Sequence, residues 1–244
     1  MRQINPVLKL GCFIATAAII STHALALDVK ISKDIEYIDI NHNGETVRIE
    51  RIQNQDNQLT GGFAKTSRKC PPFCIQPAQA APGVATVGEL EIIKFLKIHV
   101  AQNTGVLIDA RTPQWHAKGT IPGSVNMPFT VFNLDRYDQQ LIDAMEKLGV
   151  TVRIGGGSTG VMAIWAKLKD LTGIEKKPHP YWNYSNAKEL LLWCNGMWCG
   201  QSPRAIKGLI KQGYPAAKLH YYRGGMTSWQ ILGLTVVIPA DTGE

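Results

Sequence analysis

Cysteine is scarce in this sequence, with five in 244 residues, and no dense block of lysine and arginine interleaves with aromatics. The missing basic block argues against a nucleic-acid partner, which needs a continuous positive face with stacking groups. Metal ligands are also too few: Cys70 and Cys74 lie close together, but no histidine or further cysteine stands near enough to complete a four-ligand site. Gly155-Gly156-Gly157-Ser158-Thr159-Gly160 has the glycine content of a phosphate loop, yet no Gly-Lys-Ser/Thr follows it. Neither a metal nor a cofactor is therefore expected. Long apolar runs are confined to the N-terminus. There Arg2 and Lys9 precede the stretch Leu10 to Ile20, and Ala24-Leu25-Ala26 offers a small-x-small cleavage site. The run is too short for a bilayer span of about 20 residues, so residues 1–26 read as a secretory signal cleaved after Ala26. Cys12 does not mark a lipid attachment, because Lys9 stands three residues before it. The mature protein is expected to be periplasmic or secreted, with no stable membrane span.

What remains has consequences of its own. The four cysteines beyond the signal are Cys70, Cys74, Cys194 and Cys199, an even set that invites disulfides in an oxidising compartment. Cys70-Pro-Pro-Phe-Cys74 is the expected local one. The formal charge of +7 loses two positives with Arg2 and Lys9 and suits small anionic substrates or an anionic surface. Residues 27–69 form a small β region. Ile35 to His42 and Thr46 to Ile52 both alternate around Asn43-Gly44, the strongest two-residue hairpin signal. Two strands alone are marginal, so the hairpin is expected to pack on the main domain or on a partner. Residues 70–83 are a linker in which repeated prolines forbid regular structure.

From 84 to 238 short apolar strands alternate with amphipathic helices, which argues for a parallel α/β sheet. Helices are expected at Gly88 to Val100, Leu134 to Leu148 and Pro203 to Gln212. Strands are expected at Val106 to Asp109, Leu190 to Trp193 and Leu219 to Tyr222. Ser202 reads as the N-cap of the third helix, with Pro203 at its first position and Gly213 at its stop. Residues 150–182 fit the alternation poorly and read as an insertion, with a helix at Val161 to Leu171.

The most informative stretch runs from Leu190 to Leu209: strand, cysteine, glycine-containing loop, capped helix. Free N–H groups in such a loop and at the helix start converge on one spot, and the helix dipole adds positive potential there. A sulfur held at that spot is favoured as the nucleophilic thiolate. Thiosulfate and persulfides are anions that the same cradle suits. Cys194, Cys199 and Arg204 are the catalytic candidates, Arg204 adding charge from the first helical turn. Asn195, Gly196, Met197, Trp198, Gly200, Gln201 and Ser202 are the candidates for substrate binding, with Trp193, Met197 and Trp198 at a pocket mouth or a partner surface. Asp109 and Arg111 read as a pair that orients the loops near the site. Gly224-Gly225 read as a close backbone approach and Trp229 as core. His116, His179 and His220 show no pairing pattern with cysteine.

Three segments together resemble a rhodanese homology domain: Leu107-Ile108-Asp109-Ala110-Arg111 with Gly119-Thr120-Ile121-Pro122-Gly123, the cysteine loop, and Arg223-Gly224-Gly225-Met226 with Trp229. The resemblance implies a five-stranded parallel sheet with helices on both faces, and sulfane-sulfur transfer through a cysteine persulfide. Small anionic sulfur compounds would be the substrates, with a protein sulfur acceptor or redox partner. Two registers compete for the nucleophile. Cys199 gives the family's literal Cys-x4-Arg spacing to Arg204, whereas Cys194 has the family's position at the strand end. A longer loop costs little chain entropy, while starting from Cys199 would remove most of a helical turn. The reading favours Cys194, with Cys199 as a second, resolving thiol. A persulfide on one could then be displaced by the other, releasing sulfide. Thr120 replaces the histidine usual in the family's Gly-His-Ile-Pro-Gly motif. The alternatives are a thiol-redox or binding module locked by a Cys194–Cys199 disulfide and, more remotely, a cysteine-based phosphatase or arsenate reductase. Neither cysteine has the Cys-x5-Arg spacing of that last class.

Overall fold

The computed structural model describes residues 28–153 and 181–239. The signal read at residues 1–26 and the helix expected at Val161 to Leu171 lie outside them, as do Cys12 and His179.

The central sheet has five strands, all parallel: β3 (Ala85–Thr86), β9 (Leu219–Tyr222), β8 (Glu189–Trp193), β4 (Gly105–Asp109) and β5 (Ser124–Asn126), in that spatial order. Successive side chains on a strand point to opposite faces, and both faces of this sheet are covered, which explains why its strands are continuously apolar. On β8, Leu190 and Leu192 join Ile108, Tyr221 and the buried faces of α3 (Gln139–Lys147) and α4 (Gln201–Gln212) in one core. Leu191 and Trp193 enter a second core with α1 (Glu89–Phe95), α5 (Gly225–Ile231) and the N-terminal hairpin. The short helix α2 (Pro113–His116) follows β4.

That hairpin, β1 (Ile38–His42) and β2 (Glu45–Ile49), turns through Asn43 and Gly44, both with positive φ as a primed turn requires. It packs on the main domain. Ile38 and Ile49 face each other in register and are both buried in the second core. The backbone continues the attachment: Ile52 N–H donates to Gly233 at 2.7 Å, Thr235 N–H to Glu50 at 3.0 Å, and Gly123 N–H to His42 Nδ1 at 3.1 Å. Tyr37 lies on the outer side, with the Arg48 guanidinium stacked on its ring.

Several boundaries differ from the sequence reading, each for a local reason. Directly after the linker read at 70–83, Ala85 and Thr86 pair with β9 as an edge strand too short to show in the sequence pattern. The second helix begins at Gln139 rather than Leu134, since the Asp138 side chain accepts from Gln140 N–H and caps it there. The first helix ends at Phe95 and continues through Val100 as a wider π-type turn. The third starts at Gln201, with Gly200 at its N-cap, so Ser202 lies inside the first turn and does not cap it. The segment read as an insertion has a two-stranded antiparallel base, β6 (Thr151–Val152) with β7 (Trp182–Asn183).

If the hairpin is part of the folding unit, truncating its buried anchor must destabilise the whole domain. Ile49→Ala is expected to lower the unfolding free energy by about 2–4 kcal/mol in urea denaturation, with one cooperative transition retained.

Candidate active site at the end of strand β8

Cys194 follows directly on β8, the strand flanked by β9 and β4, and its loop runs into the N-terminus of α4. Both Cys194 and Cys199 are buried free thiols. The Cys194 sulfur faces four donors: the backbone N–H groups of Gly196 and Ser202, the Ser202 hydroxyl at 3.1 Å, and the Cys199 thiol. In its neutral form the Cys194 thiol also donates to the Cys199 carbonyl at 3.2 Å. Burial alone would push this thiol up, but the donors outweigh burial and bring its pKa down from 9.0 to about 7. Cys199 moves the other way. Its hydrogen bond to Cys194, then its own burial, push its pKa well above the ordinary thiol range. Its sulfur lies 3.6 Å from Gln201 Oε1, to which it can donate. One sulfur is thus prepared as an anion and its neighbour as a proton donor.

Loop geometry is set from beneath by buried polar groups. Asp109 and Arg111 are fully buried, and Arg111 satisfies its guanidinium on Asp109 Oδ1 and Oδ2 (2.8 and 2.6 Å), the Gly119 carbonyl (2.6 Å) and Asn195 Oδ1 (3.3 Å). His116 and Thr120 complete the contacts of Asp109. Burial raises the Asp109 pKa, and the hydrogen bonds of Arg111 and His116 more than reverse this, holding it below the usual value. From the other side, the start of α5 hydrogen-bonds the loop: Met226 N–H donates to the Cys194 carbonyl at 2.9 Å, and Thr227 N–H and Oγ1 both donate to the Asn195 carbonyl. Gly225 is required at this crossing. Its φ is +55°, and a Cβ there would lie 2.1 Å from the Cys194 carbonyl oxygen.

A cover closes the loop from outside, and it comes from the segment that the sequence read as a linker. Cys70 and Cys74 are joined as a disulfide. Phe73 in that small ring meets Trp198 edge-on at 5.3 Å, and the Arg68 guanidinium stacks over Trp198 at 3.9 Å. Gln76 N–H donates to the Met197 carbonyl, and Arg223 donates twice to the Gln76 carbonyl.

The structure therefore brings Cys194, Cys199, Gly196, Gln201 and Ser202 together at the sulfurs, with Trp198 and Gly200 at the covered rim. It reassigns others. Asn195 is buried and anchors the loop to Arg111 and Thr227. Trp193 lies wholly beneath the loop, its indole N–H on Ser124 Oγ, so only Met197 and Trp198 are near the surface. Arg204 is exposed: its Nε donates to the Gly200 carbonyl and its guanidinium rests on Phe129, which directs its charge to the outer rim. His116 and His220 pair with Asp109 and Glu189. Among the described residues no cluster of metal-ligating side chains occurs, and no helix is long and apolar enough to cross a membrane. Sequence reasoning missed Arg68, Phe73, Gln76 and Thr227. Their signal was weak, because the cover is far away in the chain.

A parallel α/β sheet carries a cysteine at the end of an inner strand, and an amide-lined loop leads from it into a helix. The family model for the rhodanese-like domain matches residues 94–232, more than half of the chain, and the chain belongs to that family. No curated protein sequence matches it. Among solved structures, the human single-domain sulfurtransferase TSTD1 is 17% identical, covering 62% of this chain and 96% of its own with a TM-score of 0.33. An uncharacterized protein from Saccharomyces cerevisiae is 20% identical, covering 60% and 91% with a TM-score of 0.32. A Rhodopseudomonas palustris protein of unknown function, described as a "possible tyrosine phosphatase", is 16% identical, covering 65% and 88% with a TM-score of 0.38.

Removing Arg111 leaves the Asp109 charge buried without its main partner. Arg111→Met is expected to cost about 3–5 kcal/mol in denaturant unfolding. Pairing it with Asp109→Asn should recover part of that loss, a coupling that a double-mutant cycle reads.

Proposed function

We propose that the protein is an exported sulfurtransferase that takes sulfane sulfur from thiosulfate or a persulfide donor and passes it, through a persulfide on Cys194, to a thiophilic acceptor. The observation that carries this reading is the donor set around the Cys194 sulfur, which favours an anion at that position. Cys194 thiolate attacks the outer sulfur of thiosulfate, forming Cys194–S–S⁻ and releasing sulfite. The acceptor then takes the outer sulfur and returns the thiolate. The signal-like residues 1–26 and the Cys70–Cys74 disulfide support an oxidising, periplasmic or secreted setting. Small anionic sulfur compounds are the substrates of this reading, and a small thiol, cyanide or a protein thiol is its acceptor.

The hydrogen-bond contact between the two sulfurs puts a second reaction within reach at the same site once a persulfide has replaced the Cys194 thiolate. Cys199 attacks the inner sulfur of the Cys194 persulfide, a Cys194–Cys199 disulfide forms, and the outer sulfur leaves as HS⁻ with the proton that Cys199 gave up. The two cysteines lose two electrons and the sulfane sulfur gains them. An external dithiol reductant then restores both thiols.

Cyanide-directed turnover with thiosulfate separates the roles. Cys194→Ser is expected to fall to background. Cys199→Ser should keep cyanide-directed turnover, retain one added sulfur atom by intact mass, and release no sulfide in the absence of acceptor. Loss of cyanide-directed activity in Cys199→Ser with its retention in Cys194→Ser would overturn the assignment.

A further inference from the structure

Tyr221 has an unusual position. It lies on β9 in register with Leu192 of β8, and both side chains belong to the core beneath α4. Cys194 follows the end of β8, and its sulfur accepts from Ser202 in the first turn of α4, the helix that covers this same core. The phenol is thus placed below the cysteine loop, and its charge state is coupled electrostatically to Cys194, Cys199 and Arg223. Tyr221 is 1% exposed, and among the described residues its hydroxyl has no hydrogen-bond partner. Its neighbours behave otherwise: Tyr222 donates to Glu89, Tyr214 to the Lys188 carbonyl, and Tyr184 to the Gln212 carbonyl.

A buried hydroxyl left without a partner is costly and calls for a reason. Phenylalanine would fill the same volume in this core without that cost. The resting site offers no acceptor for the hydroxyl, because the Cys194 sulfur is already surrounded by Gly196, Ser202 and Cys199. The persulfide differs from the resting enzyme by one more atom, an anionic sulfur beyond Cys194 that can accept a further hydrogen bond besides those of the loop. Burial pushes the phenol pKa up, so near neutral pH Tyr221 remains a donor.

We propose that Tyr221 is the binding residue for the transferred atom, its hydroxyl donating a hydrogen bond to the outer sulfur of the Cys194 persulfide. This rests on the persulfide reading and specifies which side chain recognises the cargo. A residue with this role leaves the resting protein indifferent to its loss and acts only once sulfur is loaded, whereas a packing residue shows the reverse pattern.

The experiment compares Tyr221 and Tyr221→Phe, both in a Cys199→Ser background so that the persulfide is retained, and repeats the turnover measurement with Cys199 intact. Reduced protein is titrated with thiosulfate against added sulfite, the fraction carrying one extra sulfur is read by intact mass, and thermal unfolding is recorded before and after loading. Tyr221→Phe is expected to leave the unloaded Tm unchanged or higher. The loading equilibrium should weaken about tenfold or more, as the loss of a hydrogen bond to a charged group predicts, and loading should raise the Tm less than in the parent. Equal loading in the two proteins, or a Tyr221→Phe protein already destabilised before loading, would overturn the assignment. If the parent itself takes up no sulfur while Cys194 is free and reduced, the persulfide reading fails and the Tyr221 assignment fails with it.

Discussion

A charged carboxylate with no exposed surface is costly unless it is partnered, and in this protein the partnering of Asp109 shapes the loop after β8. Its charge fixes Arg111, Arg111 reaches across the sheet end to Asn195, and Asn195 is the residue next to Cys194. The chain therefore cannot place Asp109 in its core without also fixing the loop that follows β8. The start of α5 closes the same loop from the other side through the carbonyls of Cys194 and Asn195, at a crossing that only glycine at 225 allows. Two distant segments of the chain thus set one loop conformation. That conformation turns the Gly196 and Ser202 N–H groups toward the Cys194 sulfur.

The electrostatics follow from that rigidity. A buried thiol would ordinarily resist ionisation, and desolvation is the largest single influence on Cys194. The fixed donors reverse its effect because they need no reorganisation when charge appears. The same contact that eases ionisation of Cys194 makes ionisation of Cys199 harder, so one hydrogen bond sets apart an easily ionised thiol and a proton-bearing one in a single loop. Arg204, the first formal charge after the loop, lies exposed and serves the rim. Backbone amides and a hydroxyl supply what the cationic side chain does not.

Much of this was legible in the chain. Short apolar strands alternating with helices announced a parallel sheet, Asn43-Gly44 marked the hairpin, and the strand–cysteine–helix order located the loop. Gly224-Gly225 and Trp229 took the roles their residue types implied. Other features were hidden for physical reasons. Ser202 has the composition of an N-cap, yet Gly200 occupies that place and the Ser202 hydroxyl turns to sulfur, a choice only tertiary contact decides. The Pro-rich segment has no periodicity, so nothing local shows that Phe73 and Gln76 fold over Trp198 and Met197. Tyr221 reads as an ordinary core residue until its hydroxyl is found without a partner.

The central claim is that the loop prepares Cys194, and not Cys199, as the anion. Ultraviolet titration of thiolate absorbance in the wild-type protein, with Cys194 and Cys199 reduced and the Cys70–Cys74 disulfide intact, tests it most directly. The account predicts one thiolate appearing with a midpoint at about 7, assigned to Cys194 by its loss in Cys194→Ser, while the second thiol stays protonated into strongly alkaline solution. Two thiolates appearing together near the ordinary cysteine value of about 8.5, or the early one surviving in Cys194→Ser, would contradict it.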